Sequence, residues 1–223
     1  CKSCRNTCRF HSERPALFWV AARYATSGSP VKRGKTAIDC ECISSRNRVS
    51  AESSFRLNME ILFEDNHLLV VNKPAGWIVQ GATEDQYSLL EWARGYIKQK
   101  YQKPGNVFIG VVSRLDSRVT GAVPFARTSK AASRLSEQLR NNTMIKNYWA
   151  IVEGEPAQQQ GRLEHWLTRR DSDVVTTASL TQSSNAQLGI LEYRRLATTA
   201  LGVLLEIKLI TGRKHQIRAQ MQA

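Results

Sequence analysis

Hydrophobic residues recur along this chain at two spacings, one typical of strands and one typical of helices. In the segment 146–152, the side chains of Tyr148, Ala150 and Val152 fall on one face of an extended chain. The stretch 155–187 is polar and weakly patterned, and it predicts only short strands and loops. The stronger strand predictions are 61–72, as two strands around a polar turn, and 146–152, 188–196 and 203–210.

Two segments predict helices that begin at a capping side chain. Ser88 stands three residues before Glu91, the spacing of a capping box. Thr128 or Ser129 caps the second helix. Apolar residues then follow at helical spacing, which predicts one buried face for each helix. These residues are Leu89, Leu90, Ala93 and Ile97 in the first helix, and Ala131, Leu135 and Leu139 in the second.

The order of these segments predicts the fold class and the domains. Strands and helices mix without strict βαβ alternation, so we expect an α+β fold with a mainly antiparallel sheet flanked by helices. The folded domain is predicted over 56–223. Residues 1–55 show no sustained period and are predicted to be a separate basic leader of uncertain order.

Composition places the chain among ordinary globular proteins. Of its 223 residues, 42% are hydrophobic and 23% are charged. No apolar run approaches the roughly 18 residues that cross a bilayer, so no membrane segment is expected. We expect a cytoplasmic monomer.

The charge narrows the class of partner. The formal net charge is +13, and it is not confined to the leader. Residues 1–55 hold 10 Lys and Arg against 4 Asp and Glu, and the rest holds 22 against 15. An excess spread along the chain predicts a polyanionic partner, most simply nucleic acid.

All five cysteines lie in the leader. Together with His11, four of them offer enough ligands for a tetrahedral zinc site, but their spacing is irregular and one pair is C-x-C. A leader with incidental thiols is the simpler interpretation, and we predict no metal. The cysteines are Cys1, Cys4, Cys8, Cys40 and Cys42.

One carboxylate, Asp116, stands in a polar loop between the apolar runs 107–112 and 122–126, with Arg114 and Arg118 on its two sides. One interpretation is a turn residue that pairs with either arginine. The other is a catalytic residue, because loops held by strands often carry the chemistry of a fold. The loop alone leaves both open.

Four segments together resemble a known family. The loop Val112-Ser113-Arg114-Leu115-Asp116 through Gly121 resembles the H-R-L-D-x-x-T-S-G signature of the RluA-type pseudouridine synthases. The segment 211–218 resembles that family's T-G-R-x-H-Q-I-R motif, and 146–154 its K-x-Y-x-A-x-V-x-G strand. The segment 61–76 resembles the family's opening strands and K-P-x-G turn.

The resemblance implies a pseudouridine synthase catalytic domain that converts specific uridines of rRNA or tRNA to pseudouridine. The implied reaction needs no metal and no small-molecule cofactor, and RNA is the expected partner. Family members usually continue with further strands beyond the point where this chain ends, so the domain is expected to be incomplete at its C-terminus.

The resemblance also implies roles for individual residues. Asp116 is the expected catalytic carboxylate, Arg213 the cation that pairs with it, and Tyr148 the aromatic that packs against the uracil. Arg114 is expected to enter the space that a flipped uridine leaves. The remaining expected RNA contacts are Lys73 and Lys146 at phosphates, and His215 and Arg218 in support of the site.

Three positions depart from the family pattern. Ser113 stands in place of a histidine, and Val119-Thr120 in place of Thr-Ser. Pro124 interrupts a predicted strand, where it removes one backbone donor. These departures favour the alternative function, a relative that binds RNA without modifying it. Retention of Asp116, Tyr148 and Arg213 favours the enzyme.

Overall fold

The computed structural model describes residues 59–83, 87–169 and 175–223, and the backbone of 19–25. This part of the chain forms one mixed sheet and three helices. The strands are β1 Trp19–Ala25, β2 Ile61–Glu64, β3 Leu68–Lys73, β4 Gly110–Val111, β5 Thr120–Ala126, β6 Ile145–Val152, β7 Gln160–Thr168, β8 Thr177–Ser179, β9 Gln187–Thr199 and β10 Gly202–Leu209. The helices are α1 Leu89–Lys100, α2 Ser129–Arg140 and α3 Gln216–Gln222.

The strands lie in the order β2-β3-β5-β1-β6-β10-β9-β7-β8, and β4 pairs with the end of β5. Of these strand pairs, β1 with β5 is parallel and the rest are antiparallel. The predicted α+β class with a mainly antiparallel sheet is confirmed.

One face of the sheet packs into the core, and polar side chains occupy one end of that face. In β6, Lys146, Tyr148, Ala150 and Val152 are buried and alternate with half-buried residues, as the period-2 pattern predicts. β10 continues the same face, with Leu209 opposite Lys146 in the register. Apolar residues fill the interior of this face, and Tyr148 and Lys146 lie at one end of it.

Both predicted helix starts are confirmed. The Ser88 hydroxyl accepts the backbone N–H of Glu91 at 3.3 Å, and the Thr128 hydroxyl accepts that of Ala131 at 3.2 Å. The α1 face that the sequence predicts is buried, except that Leu90 is only half buried. Trp92, which was not predicted, is buried beside it.

Pro124 lies in β5 at a point where the neighbour of that strand changes. On one side Pro124 pairs with Val70 of β3. On the other side β1 pairs with Thr120 and Gly121, and β4 with Phe125 and Ala126. On that second side the proline falls between the residues that pair with β1 and those that pair with β4, where no strand of the described residues pairs with it.

The leader contains one described element. β1 lies inside the sheet, between β5 and β6, although the sequence predicts a separate leader over 1–55. The five cysteines and His11 lie outside the described residues, as do the other leader positions. None of the described helices is long and apolar enough to cross a membrane.

Candidate active site

The Asp116 loop is held by its backbone, not by its carboxylate. The Asp116 carbonyl accepts the N–H of Val119 at 3.0 Å, which closes a turn. The Ser117 carbonyl accepts the N–H of Gly76 at 2.8 Å, and Gly76 has a φ of +88° that favours glycine. Leu115 is buried in the core. The loop is therefore fixed while the carboxylate stays available.

Two basic side chains, one from α3 and one from the turn before it, face the Asp116 carboxylate. Nε2 of His215 lies 3.7 Å from Oδ1, and Nη1 of Arg218 lies 4.0 Å from Oδ2. Within the described residues, Asp116 forms no ion pair with Arg114 or Arg118. The interpretation of Asp116 as a turn residue paired with a neighbouring arginine is therefore wrong.

Arg213 does not pair with Asp116, so that prediction is also wrong. Its Nε donates to the Leu188 carbonyl at 3.2 Å, which directs the guanidinium toward β9. His215 and Arg218, predicted only as supporting residues, are the basic side chains nearest the carboxylate. Arg213 still lines the site.

Gln216 explains why the segment 211–218 folds in this way. Its Oε1 accepts the Thr211 hydroxyl at 2.9 Å and the backbone N–H of Arg213 at 2.9 Å. Its Nε2 donates to the Ile190 carbonyl at 3.0 Å. His215 then adopts a left-handed φ of 53° before α3 begins. The sequence contains both Thr211 and Gln216 in its motif, but gives no sign of this buried network.

The two basic side chains beside Asp116, His215 and Arg218, differ in charge. Burial lowers the pKa of His215; the negative charge of Asp116 raises it, and the positive charge of Arg218 lowers it. The net pKa lies below the ordinary value, so His215 is mainly neutral at physiological pH. Arg218 stays charged and is the permanent cation beside the carboxylate.

Two adjoining cavities meet at Asp116. The smaller, of about 100 Å³, lies between the Asp116 loop, Tyr148 and α3. The larger, of about 880 Å³, extends to the C-terminal end of α2 and to Ile78–Gln80. Of the predicted site residues, those that line one or both cavities are Arg114, Asp116, Lys146, Tyr148, Arg213, His215 and Arg218.

Lys73 is the exception, and its position does not support the predicted phosphate contact. Its side chain is fully buried, and Nζ donates to the carbonyls of Pro74 at 2.9 Å, Trp77 at 2.8 Å and Ser117 at 2.9 Å. Burial lowers its pKa to about 8, although the charge of Asp116 raises it. Lys73 braces the Asp116 loop from beneath.

The departures from the family pattern have local consequences. The Ser113 hydroxyl is buried and has no hydrogen-bond partner within the described residues, which is unfavourable. Val119 lines the smaller cavity and packs against the core. No group of three His, Cys, Asp or Glu in the described part of the chain is placed to hold a metal ion.

Comparison with known proteins now decides the family. A family model described as RNA pseudouridylate synthase matches residues 67–223. This chain belongs to that family. The resemblance to RluA-type pseudouridine synthases is thereby confirmed.

Individual relatives agree with this assignment. The chain is 34% identical over 167 residues to a ribosomal large subunit pseudouridine synthase D of Zymomonas mobilis, covering 74% of this chain and 52% of the relative. It is 29% identical over 198 residues to a tRNA pseudouridine synthase C of Pectobacterium carotovorum, covering 81% and 50%. The chain thus spans about half the length of these pseudouridine synthases.

A solved structure supports the catalytic-domain fold. The structure of human RNA pseudouridylate synthase domain containing 4 superposes with a TM-score of 0.61 and 28% identity. The match covers 76% of this chain and 64% of the human chain. The predicted pseudouridine synthase fold is confirmed.

Proposed function

We propose that this pseudouridine synthase family member isomerises uridine to pseudouridine within RNA, with Asp116 as the catalytic carboxylate. One observation carries the proposal. The Asp116 carboxylate is 39% exposed and opens into a basic cavity beside Tyr148, while its loop is held by backbone contacts. A residue that only ordered its turn would direct its carboxylate to the turn.

The reaction rearranges one nucleoside without an external group. The N1–C1′ bond breaks, the uracil turns, and C5 bonds to C1′. The proton on C5 leaves and N1 gains one, so atoms balance without a redox cofactor. An ionised Asp116 acts as a nucleophile at carbon or stabilises positive charge on the sugar. Arg218 places a positive charge 4.0 Å from this carboxylate.

Tyr148 and Arg114 serve the base. Tyr148 is 9% exposed at the wall of the smaller cavity, where it can pack against a uracil ring. Arg114 is exposed and lines both cavities. A planar guanidinium there can stack in the space that a flipped uridine leaves, which offsets the few kcal/mol of unstacking.

The RNA class is part of the same proposal. The relatives are named for ribosomal and transfer RNA, and we propose one of these as the substrate. We also propose a monomer that acts in the cytoplasm without a small-molecule cofactor. The second candidate function, RNA binding without catalysis, is favoured by the unpartnered Ser113 hydroxyl beside the active loop.

The test is release of tritium from RNA labelled at C5 of uridine. Wild-type protein should release tritium, and Asp116→Asn should fall below about one thousandth of that rate, as for loss of a nucleophile. RNA affinity should change little. Glu153→Gln is the control, because it makes the same chemical change at an exposed position. Binding without release in the wild type would instead support the second function.

A further inference from the structure

Lys146 is a mostly buried lysine whose ammonium has no hydrogen-bond or ion-pair partner among the described residues. Its side chain is only 7% exposed, yet it makes no hydrogen bond or ion pair with the residues that the structure describes. An ammonium that is mostly buried, borders a cavity and lacks a protein partner is placed to receive an anion from outside the protein. Lys73 shows the contrast, since it is fully buried and three carbonyl oxygens satisfy its ammonium.

Open space lies beside this ammonium. A Cβ placed on Gly212 would lie 3.7 Å from Nζ of Lys146 and, apart from its own chain neighbours, would meet no other described atom within 4 Å. Both residues line the larger cavity, together with Arg213 and Lys214. The backbone of Gly212 is not in the left-handed region. Glycine at this position therefore leaves space beside the Lys146 ammonium, and it is not needed for an unusual backbone conformation.

We propose that Lys146 and Gly212 form a phosphate subsite, which holds one backbone phosphate of the RNA adjacent to the target uridine. The inference rests on the proposed function, because it takes the base to lie against Tyr148. Lys146 and Tyr148 share one face of β6, two residues and therefore roughly 7 Å apart. A phosphodiester supplies the anion that this lysine lacks, in a cavity whose other nearby charges are mainly positive.

The protonation of Lys146 is consistent with this subsite. Burial lowers its pKa, and no neighbouring anion raises it. A bound phosphate would favour the charged form, because an opposite charge nearby raises the pKa of an amine. Hydrogen bonds between a charged donor and phosphate are among the stronger contacts in proteins.

The experiment replaces one phosphate at a time with a neutral methylphosphonate. The probe is the uridine-containing RNA stem-loop that the wild type binds most tightly, and its Kd is measured by fluorescence anisotropy. One replacement next to the target uridine should weaken wild-type binding about tenfold or more. Lys146→Met should weaken binding to unmodified RNA similarly and should show no further loss at that phosphate.

Controls separate the subsite from a loss of folding. Lys130→Met, on the exposed face of α2, should keep the wild-type response to every replacement. Gly212→Ala keeps the lysine but narrows the space beside it, and should also reduce the response at that phosphate. It gives a second measurement if Lys146→Met unfolds.

Two outcomes overturn the proposal. One is a wild type that responds equally weakly to every replacement. The other is a Lys146→Met variant that keeps the full response. Binding needs no turnover, so the result stands even if no tritium is released and the proposed function fails.

Discussion

Two buried lysines show what a sequence can and cannot predict at the scale of a residue. Lys73 and Lys146 both looked like phosphate contacts, because both are cations in motifs of an RNA-modifying family. Lys73 instead donates to carbonyls of its own turn and of the Asp116 loop, and only Lys146 borders the cavity. Residue type predicted the charge, but only tertiary packing decided where each ammonium points.

The same limit explains Arg213. Its place in the motif is as the resemblance predicts, and so are those of Asp116 and Tyr148. The direction of its side chain follows from Gln216 and from the left-handed backbone of His215, which turn the chain before α3. In this arrangement the Arg213 side chain donates to the Leu188 carbonyl, and Arg218, further along the chain, lies beside the Asp116 carboxylate.

Activity should fall at alkaline pH because Lys73 loses its proton. The pKa of Lys73 is about 8, so the amine is half protonated at pH 8, and the protonated brace is lost as the pH rises through that value. A neutral amine has two donors for three carbonyls, and it no longer attracts Asp116. We expect kcat to decline between pH 8 and 10, measured by tritium release.

The control for this decline is Lys146→Met, which removes the other lysine with a lowered pKa and should keep the alkaline decline. Lys73→Arg cannot be deprotonated in this range, so it should move the decline to higher pH if it folds. Folding is checked by thermal melting. An unchanged decline in Lys73→Arg would assign the titration to another group.

At the scale of elements, Glu64 joins β2, α1 and the residue that follows β5. Its carboxylate accepts the hydroxyls of Tyr96 at 2.8 Å and Tyr101 at 2.7 Å, and Lys100 Nζ at 2.7 Å. Nη1 of Arg127 lies 3.3 Å away. The Glu64 side chain is only 10% exposed, so solvent screens these contacts weakly.

Glu64→Gln should lower the free energy of unfolding by about 2 kcal/mol, because it removes a largely buried charged acceptor that several donors share. Glu91→Gln is the matched control: its carboxylate is 64% exposed and pairs with Arg94, so the loss should be under about 0.5 kcal/mol. Urea unfolding at pH 7 measures both. Equal losses of unfolding free energy in the two variants would show that Glu64 stabilises the protein no more than an exposed carboxylate does.

The effect of Glu64→Gln on the free energy of unfolding should also depend on pH. Burial raises the pKa of Glu64, but the hydrogen bonds from Lys100, Tyr101 and Tyr96 outweigh it, and the pKa lies below its ordinary value. The stabilisation is therefore present above the unfolded pKa and is lost as the pH falls through the folded one. The difference between wild type and Glu64→Gln should shrink in acid.

Elements with a clear period were predictable, and elements without one were not. Strands β6 and β10 follow their alternation, and both helix caps are placed by short-range chemistry that the sequence displays. Strand β7 was missed because its outward positions, including Arg162 and Glu164, are charged and its apolar residues are few. Its pairing with β9, a long-range contact, determines that strand.

At the scale of the whole molecule, β1 connects two parts of the sheet. On one side lie β2, β3, β4 and β5, and on the other lie β6, β10, β9, β7 and β8. In the strand order of the described residues, β1 is the only strand between β5 and β6. The sequence predicts a leader here and not a strand, because seven residues with little polar alternation carry too weak a signal for a strand.

Deletion of β1 should therefore destabilise the molecule far more than deletion of the residues before it. A chain that starts at residue 19 should melt close to the full chain. A chain that starts at residue 26 loses the pairing of β1 along β6, and it exposes new edges on β5 and β6. A loss of about 3 kcal/mol corresponds to a melting point lower by about 10 °C for a chain of this length.

Both shortened chains retain Asp116, Tyr148 and Arg218, so the comparison isolates the strand from the chemistry. The two groups of strands carry different parts of the site, with Asp116 beside β5 and Tyr148 on β6. Loss of β1 should therefore reduce tritium release together with stability, measured on the same samples. Equal melting points for the chains starting at residues 19 and 26 would instead favour a catalytic domain that begins near residue 56 and folds without the leader.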